Sequence, residues 1–198
     1  MNEIITNARR LLKVRIDSLE KDVSFCILEN TNNGSWPAPF PALLYCFSTI
    51  DLLGTLYWKC TLTDEQQQSS CTSKIDFGIT NKSLNYMTDY MRYPELEAKL
   101  IQKVFRHKLV HMAQPLPKAR YGKKNYSWQY FHNDRSNHLS IVNVENNTYR
   151  FSVSIWSFVE DIKDSVFGPR GYLDGLARDT PDGERLRDAF KKAYQEFE

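Results

Sequence analysis

Apolar side chains recur at three- and four-residue steps near the start of the chain. Ile5, Leu12, Ile16, Leu19 and Val23 follow this spacing with Arg, Lys, Asp and Glu between them, which predicts a first helix over residues 3–29. The run Asn30-Thr-Asn-Asn-Gly-Ser-Trp-Pro-Ala-Pro-Phe-Pro is rich in turn residues and stops it. Residues 41–62 are apolar on nearly every side, which predicts a central helix. The polar stretch 64–73 reads as a loop. Thr80 or Asn81 is placed to cap a third helix that reaches Met91. Pro94 suits the first position of a fourth helix over residues 95–112, because its missing N–H is not needed there. Leu96, Leu100, Ile101, Val104, Leu109 and Val110 form the apolar stripe of that helix, and Pro115 and Pro117 end it.

The pattern changes in the last third. Residues 116–135 are rich in Lys, Arg, Tyr and Trp and read as a loop. Tyr149, Phe151, Val153 and Ile155 then alternate with Arg150, Ser152 and Ser154, a two-residue period that predicts a strand. Residues 138–144 are its expected partner, with Asn146-Asn147 in the tight turn of a hairpin. A helix over 157–166, a turn at Gly168-Pro-Arg-Gly171 and an amphipathic helix over 181–197 complete the chain. The expected fold class is mostly α with minor β: a helical bundle over residues 1–115, then a basic and aromatic loop, a β-hairpin and C-terminal helices over 116–198, packed on the same domain.

Composition refines this picture little. Net charge is +2, from 26 basic and 24 acidic side chains, so no global field argues for nucleic acid and any such contact needs a local patch. Cys26, Cys46, Cys60 and Cys71 contain no C-x-x-C pair and no zinc spacing, which predicts free thiols in a reducing compartment. The first residues contain no apolar signal core, and the three Asn-x-Ser/Thr sequons at Asn81, Asn125 and Asn146 are expected to be incidental. Residues 40–58 have the length of a membrane span but carry Asp51 at their middle, so a buried core helix is expected, with no membrane partner and a cytoplasmic location.

The segment that invites chemistry is Arg106-His107-Lys108-Leu109-Val110-His111. Arginine holds a permanent planar donor fork that suits a phosphate, and histidine titrates near neutrality, which suits proton transfer. Five residues of ideal α-helix turn about 500°, so Arg106 and His111 point roughly 140° apart. They converge on one ligand only if the helix frays there, in a last turn loosened by the nearby Pro115, or a second chain completes the site. This segment, in the last long helix of an apparent four-helix unit, resembles the signature of the HEPN superfamily: arginine, a polar residue, mostly apolar residues, then histidine. The apolar segment Leu43-Leu44-Tyr45-Cys46-Phe47-Ser48-Thr49-Ile50-Asp51-Leu52-Leu53-Gly54 is similar to the second helix of that family with its embedded acid. The resemblance covers residues 3–115 and leaves 136–198 outside the minimal bundle.

The resemblance implies an up-and-down helical bundle and a metal-independent endoribonuclease, of a kind placed in prokaryotic defence or stress, that leaves 2′,3′-cyclic phosphate ends. Arg106 and His111 are then catalytic, with His107, Asp51 and Lys108 in support. It implies a homodimer, RNA as the substrate and no cofactor. The alternative function keeps the fold without the catalysis, as a module that binds a partner protein or a nucleotide. Read without the resemblance, Arg106 is a partner for the otherwise isolated Asp51, and His111 is a cap on the last carbonyls of its helix. His107 and His111 share a helix face at i, i+4, but neither the Glu of H-E-x-x-H nor a third ligand accompanies them, so no metal is expected.

Downstream, Lys118, Arg120, Lys123 and Lys124 are interleaved with Tyr121, Tyr126 and Trp128, a composition suited to phosphates and unpaired bases and equally to a solvated loop. Gly168 and Gly171 read as turn residues, and His132, Asp134 and His138 as loop hydrogen bonding.

Overall fold

The computed structural model of the chain describes residues 2–29, 38–58, 78–106 and 118–195. The described residues are mostly helical, with one four-stranded sheet. The helices are α1 (Asn2–Ser24), α2 (Pro39–Trp58), α3 (Gly78–Asp89), α4 (Glu95–Leu100), α5 (Ile155–Phe167), α6 (Tyr172–Ala177) and α7 (Pro181–Gln195). The strands are β1 (Lys118–Tyr121), β2 (Lys124–Phe131), β3 (Ile141–Glu145) and β4 (Thr148–Ser154). Two helices pass into π-helical stretches, α1 at Phe25–Glu29 and α4 at Ile101–Arg106. The chain divides into two compact units, one of Met1–Asp17, Ser48–Pro94 and Ile162–Glu198, the other of Ser18–Phe47 and Glu95–Asp161.

In the first unit the α1 stripe is buried as its spacing requires: Ala8 and Leu12 are fully enclosed and Ile16 nearly so. Leu12 and Ile16 each contribute about 1.5–3 kcal/mol through removal from water. Ile50, Leu53 and Leu56 of α2, Tyr86 and Met87 of α3, and Phe190 of α7 are buried in the same unit. Tyr86 donates to or accepts from the Ser165 hydroxyl at 2.9 Å and stacks on Tyr90, whose ring meets Tyr172 edge-on at 5.8 Å. The third helix starts at Gly78, so Thr80 and Asn81 lie inside it and not at its cap.

The stretch Pro39–Tyr57 is long and apolar enough to cross a membrane, with mean hydropathy 1.3, and half of it is buried inside the protein. Its residue Asp51 accepts a hydrogen bond from Ser83 of α3 at 2.5 Å. Burial of half the stretch and a hydroxyl donor for Asp51 from a neighbouring helix are what a core helix shows.

The second unit holds the sheet, in the order β1-β2-β4-β3. Residues 116–135, expected as a loop, instead supply β1 and β2, an antiparallel hairpin in which Lys118 pairs with Ser127 and Tyr121 with Lys124. The expected hairpin of β3 and β4 is present, but it is half of a larger sheet, because β2 lies parallel to β4 from Asn125↔Thr148 to Phe131↔Ser154. A lone two-stranded hairpin is marginal in water, whereas four strands offer a face wide enough to pack. That face carries Tyr126, Phe151 and Val153, each at most 2% exposed. Phe40 of α2 meets Tyr130 edge-on at 6.1 Å, and Phe47 meets Phe158 of α5 at 5.9 Å.

The two turns solve the twist differently. In the β3–β4 turn only Asn147 takes positive φ (56°), and a register shift between Asn143 and Glu145 follows. In the β1–β2 turn Gly122 has φ 62° and nothing within 4 Å of the place where a Cβ would stand. Gly122→Ala therefore isolates the backbone cost of the left-handed region, and is expected to lower unfolding free energy by about 1–2 kcal/mol in urea titrations. An unchanged midpoint would rule out a positive φ at this turn in solution.

Candidate functional site

Helix α4 is built to start sharply. Pro94 precedes it, Glu95 and Glu97 occupy its first turn where the helix dipole favours anions, and Lys99 pairs back to Glu95. Ala98, Leu100 and Ile101 are buried. At Ile101 the hydrogen bonding widens from i→i+4 to the π pattern of i→i+5, and this stretch ends on Arg106, which is half-buried. Val104, expected in the buried stripe, lies in the π stretch. His107, Lys108 and His111, with Leu109 and Val110, lie outside the described residues.

Asp51, expected in a supporting role, is half-buried on α2 with Ser83 as its hydrogen-bond donor. The four basic residues after the motif do not form one cluster. Lys118 and Arg120 lie on β1, Lys123 is in the turn and Lys124 opens β2. By register Lys124 shares a face with Tyr126 and Tyr149, and its Nζ sits 4.5 Å from the centre of the Tyr149 ring. Arg120 and Lys123 are exposed.

The chain also ties down a group that sequence reasoning placed only as loop hydrogen bonding. Asp134 caps the short turn Arg135–Asn137, and hydrogen bonds from the side chains of Asn137 and Ser136 hold its carboxyl below the usual carboxylate range. The His138 ring is 4% exposed; its Nδ1 accepts the backbone N–H of Ser154 at 3.1 Å and its Nε2 faces Asp161 at 3.2 Å. Arg135 donates to the same Asp161 carboxylate and to the Ser157 carbonyl. Accepting at Nδ1 places the ring proton on Nε2, where it donates to Asp161. Both ring nitrogens are therefore used, and the ring is a structural tie between the segment before β3 and helix α5. His132 is exposed and outside this network.

Removing the shared acceptor tests that role. Asp161→Ala leaves the buried Nε2–H of His138 without its carboxylate and is expected to cost about 1–3 kcal/mol in chemical denaturation, with Asp161→Asn recovering part of it. A wild-type midpoint for both variants would refute the tie.

Gly168 ends α5, its N–H returning to the Asp164 carbonyl, and Gly171 caps α6, so the Gly-x-x-Gly sequence is a helix–helix turn. Cys26 and Cys46 are buried and in no disulfide, and burial pushes both thiols up, with the Asp22 charge adding to it at Cys26. Both shifts disfavour the thiolate form. Cys60 and Cys71 lie outside the described residues. Among the described residues no group of three His, Cys, Asp or Glu side chains is placed to hold a metal ion. Comparison with family models, with curated proteins and with solved structures finds no match to this chain.

Proposed function

We propose that this protein is a metal-independent endoribonuclease of HEPN type, acting as a homodimer, with Arg106 and His111 as its catalytic pair. One observation carries the reading: α4 adopts the i→i+5 repeat over Ile101–Arg106, so the helix has left α geometry by the time it reaches the arginine. On an α-helix, residues five apart point in divergent directions, whereas the i→i+5 repeat brings Ile101 and Arg106 toward one side of the axis; His111 lies outside the described residues. The resemblance of Arg106-His107-Lys108-Leu109-Val110-His111 to the family signature supplies the reaction.

In that reaction the ribose 2′-oxygen attacks the adjacent phosphorus, the bond from phosphorus to the 5′-oxygen breaks, and a 2′,3′-cyclic phosphate remains. His111 takes the 2′-hydroxyl proton or supplies the proton to the leaving 5′-oxygen. Two copies of the motif in a dimer divide these tasks. Arg106 holds the phosphate and meets the charge that grows on it.

The test is cleavage of mixed RNA by the full-length protein in EDTA, with the product ends analysed. Cyclic phosphate ends are expected. A folded, dimeric protein that leaves RNA intact would transfer the assignment to a non-catalytic module for a partner protein or a nucleotide.

A further inference from the structure

On its second face the sheet buries Thr148, Ser152 and Ser154 but leaves other positions open to solvent. Pairing partners share a face in both antiparallel and parallel ladders, so the register aligns Lys118, Ser127, Arg150 and Val142 in one row across the four strands. The neighbouring row is Arg120, Asn125, Thr148 and Glu145. Arg120, Asn125, Val142 and Arg150 are all exposed. Arg120 gives one hydrogen bond to the Gly122 carbonyl at 3.2 Å, and neither Arg120 nor Arg150 has a carboxylate partner among the described residues. Arg135, Arg178 and Arg185, by contrast, are each paired with an aspartate.

We infer that this face is a contact surface for the phosphate backbone of single-stranded RNA, with Arg120 and Arg150 as its phosphate donors. Charge complementarity is the argument. Arg120 and Arg150 sit two strands apart, roughly 10 Å, and two residues out of line along the strands, with the exposed Asn125 amide between them to donate to phosphate or sugar oxygens. Glu145, at the far edge, is the carboxylate in these rows. Tyr126, Trp128, Tyr130, Tyr149 and Phe151 belong to the opposite face; Phe131, half-buried and four residues along β2 from Ser127, is the ring on this one, so no platform of stacked rings stands beside the arginines to read bases. Contact is thus to backbone and indifferent to sequence. The inference takes RNA as the polyanion from the endoribonuclease reading and adds where the strand lies beyond the catalytic pair.

The experiment measures binding of labelled 2′-O-methyl oligouridine, which lacks the attacking hydroxyl and so reports binding without cleavage. Wild type, an Arg120→Gln/Arg150→Gln double variant and Lys191→Gln on α7 are titrated across a salt series. Each lost phosphate contact removes about 0.7 from the slope of log K against log salt, so the double variant is expected to lose about 1.4, with affinity falling roughly tenfold or more at low salt. Lys191→Gln and a change from oligouridine to oligoadenosine are expected to leave binding unchanged. A double variant that melts like wild type and keeps its affinity and slope would overturn the inference. So would displacement by polyglutamate as readily as by unlabelled oligouridine, which marks an acidic polypeptide as the occupant. Arginine-dependent binding by a protein that cleaves nothing upholds this face and sinks the nuclease; cleavage by a protein whose binding ignores both arginines does the reverse.

Discussion

Gly54→Ala is expected to lower the unfolding free energy by about 3 kcal/mol, although alanine is the better helix former. Gly54 is buried on α2, and a Cβ there would lie 2.7 Å from the carbonyl carbon of Lys82 and 2.8 Å from both the Lys82 oxygen and the Ser83 nitrogen. These are backbone atoms of α3, so no side-chain rotation relieves the contact. The helices must move apart, which loosens the Ser83–Asp51 hydrogen bond of 2.5 Å and the Tyr57–Asp89 hydrogen bond of 2.6 Å. The sign makes the test decisive. Without the close approach, glycine to alanine in a helix stabilises by about 1 kcal/mol. A urea midpoint that rises would therefore sink the packing of α2 on α3, and one that falls steeply would establish it.

That contact also shows where the sequence stops speaking. The apolar stripe at three- and four-residue spacing located α1, because burial of one face imposes that period where a helix packs; α2 was legible as a run apolar on nearly every side, and Pro94 marked the start of α4. The spacing does not say which neighbour comes close, and Gly54 reads in isolation only as a weak helix residue. Strand β4 was legible because it alternates cleanly between core and outside. Strand β2 carries the same signal, since Tyr126, Trp128 and Tyr130 alternate with Asn125, Ser127 and Gln129. Its lysines and rings also match the composition of a nucleic-acid-binding loop, and that reading hid the period. The mixed sheet follows from parallel pairing of β2 with β4, which has no local mark because the chain passes through β3 between them. His138 and Asp161 are likewise joined only by the fold. Of the candidate site, the sequence identified the residue types; the π repeat that ends on Arg106 depends on backbone hydrogen bonding, and no residue pattern announces it.

Variants at the proposed catalytic pair are expected to have large and unequal effects. A positioned general base or acid is worth typically 10²–10⁴-fold in rate, so His111→Ala is expected to reduce cleavage by about that much. Loss of one donor to growing transition-state charge costs about 10²–10³-fold, which sets the expectation for Arg106→Ala. Arg106→Lys separates charge from geometry: lysine keeps the cation and loses the planar fork, so an intermediate rate is expected if the fork grips the phosphate. The double alanine variant should cost less than the product of the two single losses, because residues that act as a unit are not additive. The pH profile supplies an independent readout. If His111 moves the proton, wild-type cleavage should change slope near the range where imidazole titrates, and the residual activity of His111→Ala should lose that inflection. RNA cleavage that persists at wild-type rate in both alanine variants would mean that the activity comes from elsewhere in the chain or from another protein. Loss in both, with circular dichroism and melting unchanged, would leave Arg106 and His111 as the groups that touch the reacting phosphate.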